Sequence, residues 1–249
     1  MNPDVRENRL LRTLDGADFD LLARHFRQLP LKQGSLLQEQ EAPVEQVYFP
    51  LSGVISLVSV MEGGQVVETA TVGREGAVGA FGGLGPWRAF TRAVVQLPGT
   101  AAVILVSPIQ TAVSQSNQLR NLILRYKEAL LGQVQQTAAC NALHPLEARL
   151  ARWLLQTLDR TDGVELPLTQ DFMAQMLGVR RTTVTLIAHR LQHAGLIRYR
   201  RGLLQVLDRS GLEEMACECY GTIRRRTEAV FGGRQVDQAK PIARASAAF

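Results

Sequence analysis

The spacing of hydrophobic and polar positions changes twice along the chain. From Gly34 to Val106 apolar residues come in short runs at 54–61, 65–72, 93–97 and 101–106, separated by turn signals at Ser52-Gly53, Gly63-Gly64 and Pro98-Gly99. Short apolar runs bounded by glycine predict antiparallel strands, and several in succession predict a β-roll or jelly roll. Ahead of them, residues 18–29 carry Phe19, Leu22 and Phe26 at helical spacing and predict one short helix.

At Ser107-Pro108 strands give way to helices, because serine caps a helix and proline suits its first position. A second cap at Ser116 or Asn117 opens a helix to about Leu143, roughly 40 Å long at the standard rise per residue. Along it Leu119, Leu122, Tyr126, Leu130, Val134 and Ala138 recur at three- and four-residue intervals. A stripe that narrow either docks on its own domain or pairs with a second copy; with the DNA-binding signals below, it predicts a homodimer interface. His144-Pro145 restarts the chain, and Leu146, Leu150, Trp153, Leu154 and Leu158 share one face of the next helix.

Two further helices at 169–177 and 180–194 flank Gly178, and strands at 196–200 and 203–207 flank Arg201-Gly202. That order is a winged helix-turn-helix. A terminal helix is expected from Ser210 to about Ala229. The predicted fold class is α+β: an N-terminal β-roll effector domain (1–115), a dimerisation helix (116–143), a winged helix-turn-helix DNA-binding domain (144–231) and a disordered tail (232–249).

Composition changes this picture only through charge. At 249 residues, 46% hydrophobic and 20% charged, the chain is ordinary, and its formal net charge is +5. Yet Phe172 to Val206 contains no Asp or Glu, while Arg180, Arg181, Arg190, Arg198, Arg200 and Arg201 lie within it. A solvated basic face would show the same residues; their place on the second helix and the wing points to nucleic acid.

In a helix-turn-helix the second helix enters the major groove, so one face must be apolar and its exposed start must carry donors. Val184, Ile187 and Leu191 can turn inward against Phe172, Met173, Met176 and Leu177, leaving Arg180, Arg181, Thr182 and Thr185 near the start. Arginine can donate two parallel hydrogen bonds to guanine, and threonine offers a hydroxyl and a methyl group, which makes Arg181 the first base-reading candidate. Thr169, Arg198, Tyr199, Arg200 and Arg201 are better placed for phosphates, which position without specifying.

The run from Leu168-Thr169-Gln170 through Gly178-Val179-Arg180-Arg181-Thr182-Thr183-Val184 resembles the helix-turn-helix of the Crp/Fnr family, whose recognition helix typically reads Ser-Arg-Glu-Thr-Val. The resemblance extends to Tyr48-Phe49-Pro50-Leu51-Ser52-Gly53-Val54, the long helix, and Glu147-Ala148-Arg149-Leu150-Ala151. It implies that Arg181 contacts guanine, that Thr182 replaces a glutamate and Leu186 a commonly basic contact residue, and that operator preference differs accordingly. Arg180 takes the usual serine position, weakening a cap while adding a candidate phosphate contact. Implied partners are double-stranded DNA, a second copy of the chain and RNA polymerase.

The family's cyclic-nucleotide pocket uses a Gly-Glu pair and an Arg-Ser pair, because a buried cyclic phosphate needs charge-assisted partners. Here Gly79 is followed by Ala80, and Thr91 and Arg92 stand where the arginine and serine would fall. A one-residue shift along a strand turns a side chain to the other face, so Arg92 is no automatic substitute. Val134 and Gln135 replace hydroxyls on the long helix. These six residues form the candidate effector pocket; cyclic AMP is not expected there, and control falls to another effector or the protein is constitutively active.

No cofactor is expected. Cys140, Cys217 and Cys219 are too few for the four-cysteine iron–sulfur cluster of oxygen-sensing members. Cys217 and Cys219 stand two apart, but Cys140 is distant and no histidine neighbours the pair in sequence, so no metal site is expected. His189 and His193 read as exposed polar groups, and nothing supports haem ligation by His25 or His144. An odd cysteine count without a secretory leader or membrane-length apolar run predicts a reduced, cytoplasmic protein with no membrane contact. The sequence carries no Gly-x-Ser-x-Gly, His-Glu-x-x-His or phosphate-loop pattern, so no catalytic residue and no enzyme are expected. The competing reading, a cyclic-nucleotide-type regulatory or protein-interaction module without specific DNA binding, predicts a less basic recognition helix.

Overall fold

The computed structural model describes residues 4–232. After α1 (Arg9–Arg12) and α2 (Gly16–Ala23) come β1 (Arg27–Leu31), β2 (Leu36–Gln38), β3 (Gln46–Pro50), β4 (Val54–Val60), β5 (Val66–Val72), β6 (Arg92–Leu97) and β7 (Gly99–Leu105). They form two antiparallel sheets, ordered β1-β7-β3 and β2-β6-β4-β5. The helix expected over 18–29 stops at Ala23, because Arg27–Leu31 pairs with β7 instead. Pro30 is tolerated there because β1 is a sheet edge.

Side-chain alternation along the strands sets the layers. Leu31, Tyr48, Ile55, Val72, Val95 and Val103 point between the two sheets and form the roll's core. Val47, Phe49, Ala102 and Ile104 point the other way, under α1, α2, α3 (Val106–Gln115) and the start of α4 (Asn117–Leu143). The Ser116 hydroxyl caps α4 as expected, accepting from the Leu119 amide at 2.9 Å.

The stripe assigned to a dimer interface is partly corrected by this packing. Leu119, Leu122 and Tyr126 lie in the chain's own core, where Tyr126 also donates to the Ala77 carbonyl at 2.9 Å. Leu130 and Val134 are half-buried against the roll, and Ala138 is exposed. A three-sided apolar helix satisfies both docking and a free seam, and sequence periodicity alone did not separate the two faces. The large apolar residues exposed on α4 are Leu124, Leu131 and Leu143.

The remaining elements are α5 (Leu146–Leu158), β8 (Glu165–Pro167), α6 (Gln170–Leu177), α7 (Arg181–His193), β9 (Ile197–Arg200), β10 (Leu203–Val206), α8 (Arg209–Met215) and α9 (Cys219–Ala229). The single terminal helix expected from Ser210 is thus two, broken where Ala216 adopts an extended backbone. The wing gains a third strand, with order β8-β10-β9. Its two-residue turn at Arg201 (φ 50°) and Gly202 (φ 79°) has the left-handed backbone that matches hairpin twist.

The helical part does not stand apart from the roll. Val54, Val58 and Leu97, on the outer face of the four-stranded sheet, share one core with Trp153, Leu154, Met173 and Leu177. Trp153 is 1% exposed at this seam. The tail expected to be disordered lies, from residue 233 onward, outside the described residues. No helix among the described residues is long and apolar enough to cross a membrane.

Candidate DNA-binding interface and effector cavity

The helix-turn-helix is built from local rules. Thr169 caps α6, its hydroxyl accepting from the Phe172 amide at 3.1 Å. Gly178 ends α6 in the left-handed region (φ 66°), which glycine adopts without a Cβ penalty. Val184, Ile187, Ala188 and Leu191 of α7 are buried in the core containing Met173, Met176 and Leu177. That packing turns the other side of α7 outward.

Arg180, Arg181, Thr182 and Leu186 are all exposed on that outer side, Leu186 to 54%. Arg181 pairs with Asp171 at 3.3 Å, both side chains being more than 60% exposed. Such a pair contributes little and yields readily to a better partner. Thr185 differs from expectation: its hydroxyl lies 2.6 Å from Gln170 Oε1 and 3.0 Å from the Arg181 carbonyl, so its single proton serves the protein. Its methyl group and the acceptor lone pairs of its hydroxyl remain for a base.

On the wing, Arg198, Arg200 and Arg201 are exposed, with Arg198 only loosely held by Gln205 at 3.5 Å. Tyr199 is half-buried, and burial pushes its phenol up. Thr169 is exposed at the foot of the wing; its hydroxyl accepts in the cap and keeps its proton for a phosphate. Arg190 is tied to Glu147 of α5. His189 and His193 are exposed.

A cavity of about 490 Å³ lies between the roll and α4, lined in part by Phe81, Trp87, Phe90, Lys127, Leu131 and Val134. Trp87 meets Phe90 edge-on at 5.2 Å, and Lys127 Nζ lies 5.2 Å from the Trp87 ring centre. Gln38 Oε1, also on the wall, is buried without a hydrogen-bond partner.

Of the six residues assigned to the pocket, Gly79, Thr91 and Val134 line it. Gly79 is fixed by its left-handed φ of 82° and by the Gln46 carbonyl, 2.6 Å from where a Cβ would sit. Three assignments are corrected. Ala80 packs in the core beneath the first helices, and Gln135 faces solvent. Arg92 is held by Glu39 through two 2.9 Å hydrogen bonds, so its guanidinium already has an anion. The cation of this cavity is Lys127, which sequence reasoning missed because the aromatic cluster beneath it comes from a loop without periodicity.

Cys140, expected to stand far from other ligands, does not. Helix α9 runs back along α4, with Arg226 donating to the Gly132 carbonyl at 3.0 Å. This brings Cys217 and Cys219 to Cys140 and to His144, which stands one helical turn after it. The four-residue spacing of Cys140 and His144 was the available signal.

The profile of the Crp-like helix-turn-helix domain matches residues 148–215. No curated protein matches the chain. Among solved structures, FixK2 from Bradyrhizobium japonicum is similar at 15% identity over 77% of this chain and 98% of its own, with a TM-score of 0.67. The c-di-GMP responsive regulator CLP of Xanthomonas campestris is 15% identical over 78% of this chain and all (100%) of its own, with a TM-score of 0.63. A CRP/FNR-family transcriptional regulator from Thermus thermophilus, TTHA1359, is 24% identical over 76% of this chain and 98% of its own, with a TM-score of 0.62. The Crp-like helix-turn-helix domain matched in sequence marks the chain as a DNA-binding transcription regulator, and the fold around it is that of Crp/Fnr regulators of known structure.

Proposed function

We propose that two copies of the chain join along α4, present their α7 helices to two operator half-sites, and respond to an apolar effector in the cavity beside α4. The observation that carries this reading is the uncovered start of α7, where Arg180, Arg181, Thr182 and Leu186 stand exposed in a stretch without a carboxylate. Arg181 suits guanine, and the Leu186 side chain suits a thymine methyl group. Thr169, Arg198, Arg200 and Arg201 suit the phosphates on either side.

Dimer formation is supported by the face of α4 that the roll leaves free. Leu124, Leu131 and Ala138 recur there at seven-residue intervals, the spacing of a coiled-coil seam. Leu131 belongs both to this face and to the cavity wall, so a ligand there touches the seam directly.

The cavity favours an effector with an apolar or aromatic body. It offers one ammonium group, at Lys127, and one unsatisfied acceptor, at Gln38, in place of the carboxylate and guanidinium that a cyclic nucleotide needs. The partners are double-stranded DNA, a second copy and, by family resemblance, RNA polymerase, in the cytoplasm. Selecting operators from random duplexes and footprinting the complex tests the reading. Two protected half-sites about one helical turn apart support it, and protection of a single site contradicts it.

A further inference from the structure

Where the long helix hands over to the DNA-binding domain, four soft ligand groups converge. Cys140 lies in the last turn of α4 and His144 is the residue that ends it, while Cys217 and Cys219 flank the start of α9. Their ligand atoms all lie within 4.8 Å of one another. The three cysteines are buried and His144 is half-buried.

Two of the six separations are close to those of a metal tetrahedron, and the rest lie within 4.8 Å. With Zn–S near 2.3 Å and Zn–N near 2.0 Å, tetrahedral geometry places two sulfurs about 3.8 Å apart and a sulfur and a nitrogen about 3.5 Å apart. Here Cys140 Sγ and Cys217 Sγ are 3.4 Å apart, and Cys219 Sγ and His144 Nδ1 are 3.5 Å apart. The surroundings also fit. His144 turns Nδ1 to the sulfurs and Nε2 to Glu218 Oε1 at 3.3 Å, the carboxylate–histidine arrangement that orients a metal-binding imidazole. Gln136 Nε2 donates to Cys219 Sγ at 3.1 Å, a bond that suits a thiolate. Arg149 and Arg152 of α5 lie within electrostatic reach of the thiols, and both leave a buried Nε without a hydrogen-bond partner. A divalent ion with three thiolates and a neutral imidazole carries a net charge of −1, which one of those guanidinium groups is enough to balance.

We propose that Cys140, His144, Cys217 and Cys219 form a Cys₃His site for a thiophilic divalent cation of the zinc class, clamping the end of the sensor helix to the C-terminal segment. On binding, each thiol releases its proton to solvent and the imidazole stays neutral. The clamp closes on the junction at His144-Pro145, so the ion fixes how the DNA-binding domain leaves α4. A Cys140–Cys217 disulfide is the competing use of the same sulfurs, and it would leave Cys219 and His144 without a function.

The test uses the full chain, reduced and stripped of metal, titrated with Co²⁺ in the absence of oxygen. The expected result is one Co²⁺ per chain, with thiolate-to-metal charge-transfer absorption and the intense visible bands of a tetrahedral centre, displaced by one equivalent of Zn²⁺. Cys140→Ser should lose the charge-transfer absorption in proportion to the missing thiolate, and Glu218→Gln, which leaves all four ligands in place, should weaken Co²⁺ binding by about tenfold. Because the wild-type titration needs no variant to fold, its result decides. Absence of charge-transfer bands in the reduced wild-type protein, or a Cys140–Cys217 disulfide with no uptake of Co²⁺ after its reduction, overturns the proposal.

Discussion

The indole Nε1 of Trp153 donates to Glu68 Oε1 at 2.7 Å, joining the first helix of the DNA-binding domain to the four-stranded sheet of the roll. Glu68 Oε2 lies 2.5 Å from Ser56 Oγ, which is 3.0 Å from Gln96 Oε1. Gln96 Nε2 then donates to Thr157 Oγ1 at 2.9 Å, and that hydroxyl donates to the Trp153 carbonyl at 2.9 Å. Serine has one proton to give. A protonated Glu68 donates to Ser56, freeing the serine proton for Gln96 and closing the ring across the seam.

Burial pushes the Glu68 carboxyl from 4.5 up to about 7, against the opposing pull of Ser56, Trp153, Arg152 and Arg160. Between those values the folded chain keeps a proton that the unfolded chain has released. Stability from this group therefore falls as pH rises through the window, and the burial penalty is complete above it. The full effect is about 3 kcal/mol. Urea unfolding from about pH 5 to about pH 8 should show wild type losing stability relative to Glu68→Gln; parallel pH curves for the two proteins contradict the assignment.

Trp153 also fills the seam by volume. Trp153→Ala should destabilise the chain by about 3 to 5 kcal/mol. Trp153→Phe keeps most of the packing but leaves Glu68 Oε1 without its donor, at a cost of about 1 to 3 kcal/mol. Denaturant midpoints rank the three proteins, and an undisturbed midpoint for Trp153→Phe would show that the hydrogen bond contributes nothing.

The two faces of α4 should respond differently to a charge. Leu131→Glu lies on the exposed face and should dissociate dimers while leaving the fold intact. Leu122→Glu lies in the chain's own core and should unfold it. Sedimentation velocity alongside circular dichroism separates these outcomes, and an unchanged dimer in Leu131→Glu places the interface elsewhere.

Much of this architecture was legible in the sequence because it rests on local signals. The cap at Ser116, the left-handed glycine at Gly178 and the Arg201-Gly202 turn each fix their own few residues. The outward face of α7 followed from the burial of Val184, Ile187 and Leu191. What stayed hidden depends on contacts far apart in the chain. Residues 27–31 follow a helical segment and become a strand only because β7 lies beside them. No local signal marks Ser56 and Glu68 as buried, because Trp153 covers them from 85 residues beyond Glu68. The convergence of Cys140 with Cys217 likewise spans 77 residues and needs α9 to fold back along α4.

The cavity makes a prediction about ligands. With Arg92 held by Glu39 and Lys127 as the cation on the cavity wall, cyclic AMP and cyclic GMP should leave the Tm unchanged. An aromatic carboxylate that packs beside Trp87 and pairs with Lys127 should raise it, and Lys127→Ala should reduce that rise. A cyclic-nucleotide-induced rise in Tm, accompanied by tighter operator binding, contradicts this view of the pocket, since a ligand shifts an equilibrium only by binding one state better.

The most direct test of the central claim is the affinity of wild type, Arg181→Ala and Arg200→Ala for a selected operator and for random duplex across a salt series. Arg181→Ala should lose about 1 to 3 kcal/mol on the operator, relax one base position in each half-site and change little on random DNA. Arg200→Ala should weaken both duplexes together and flatten the salt dependence by about one counterion. Equal losses on operator and random DNA for Arg181→Ala would contradict the account, because Arg181 would then contact phosphate alone and α7 would not read the sequence through it.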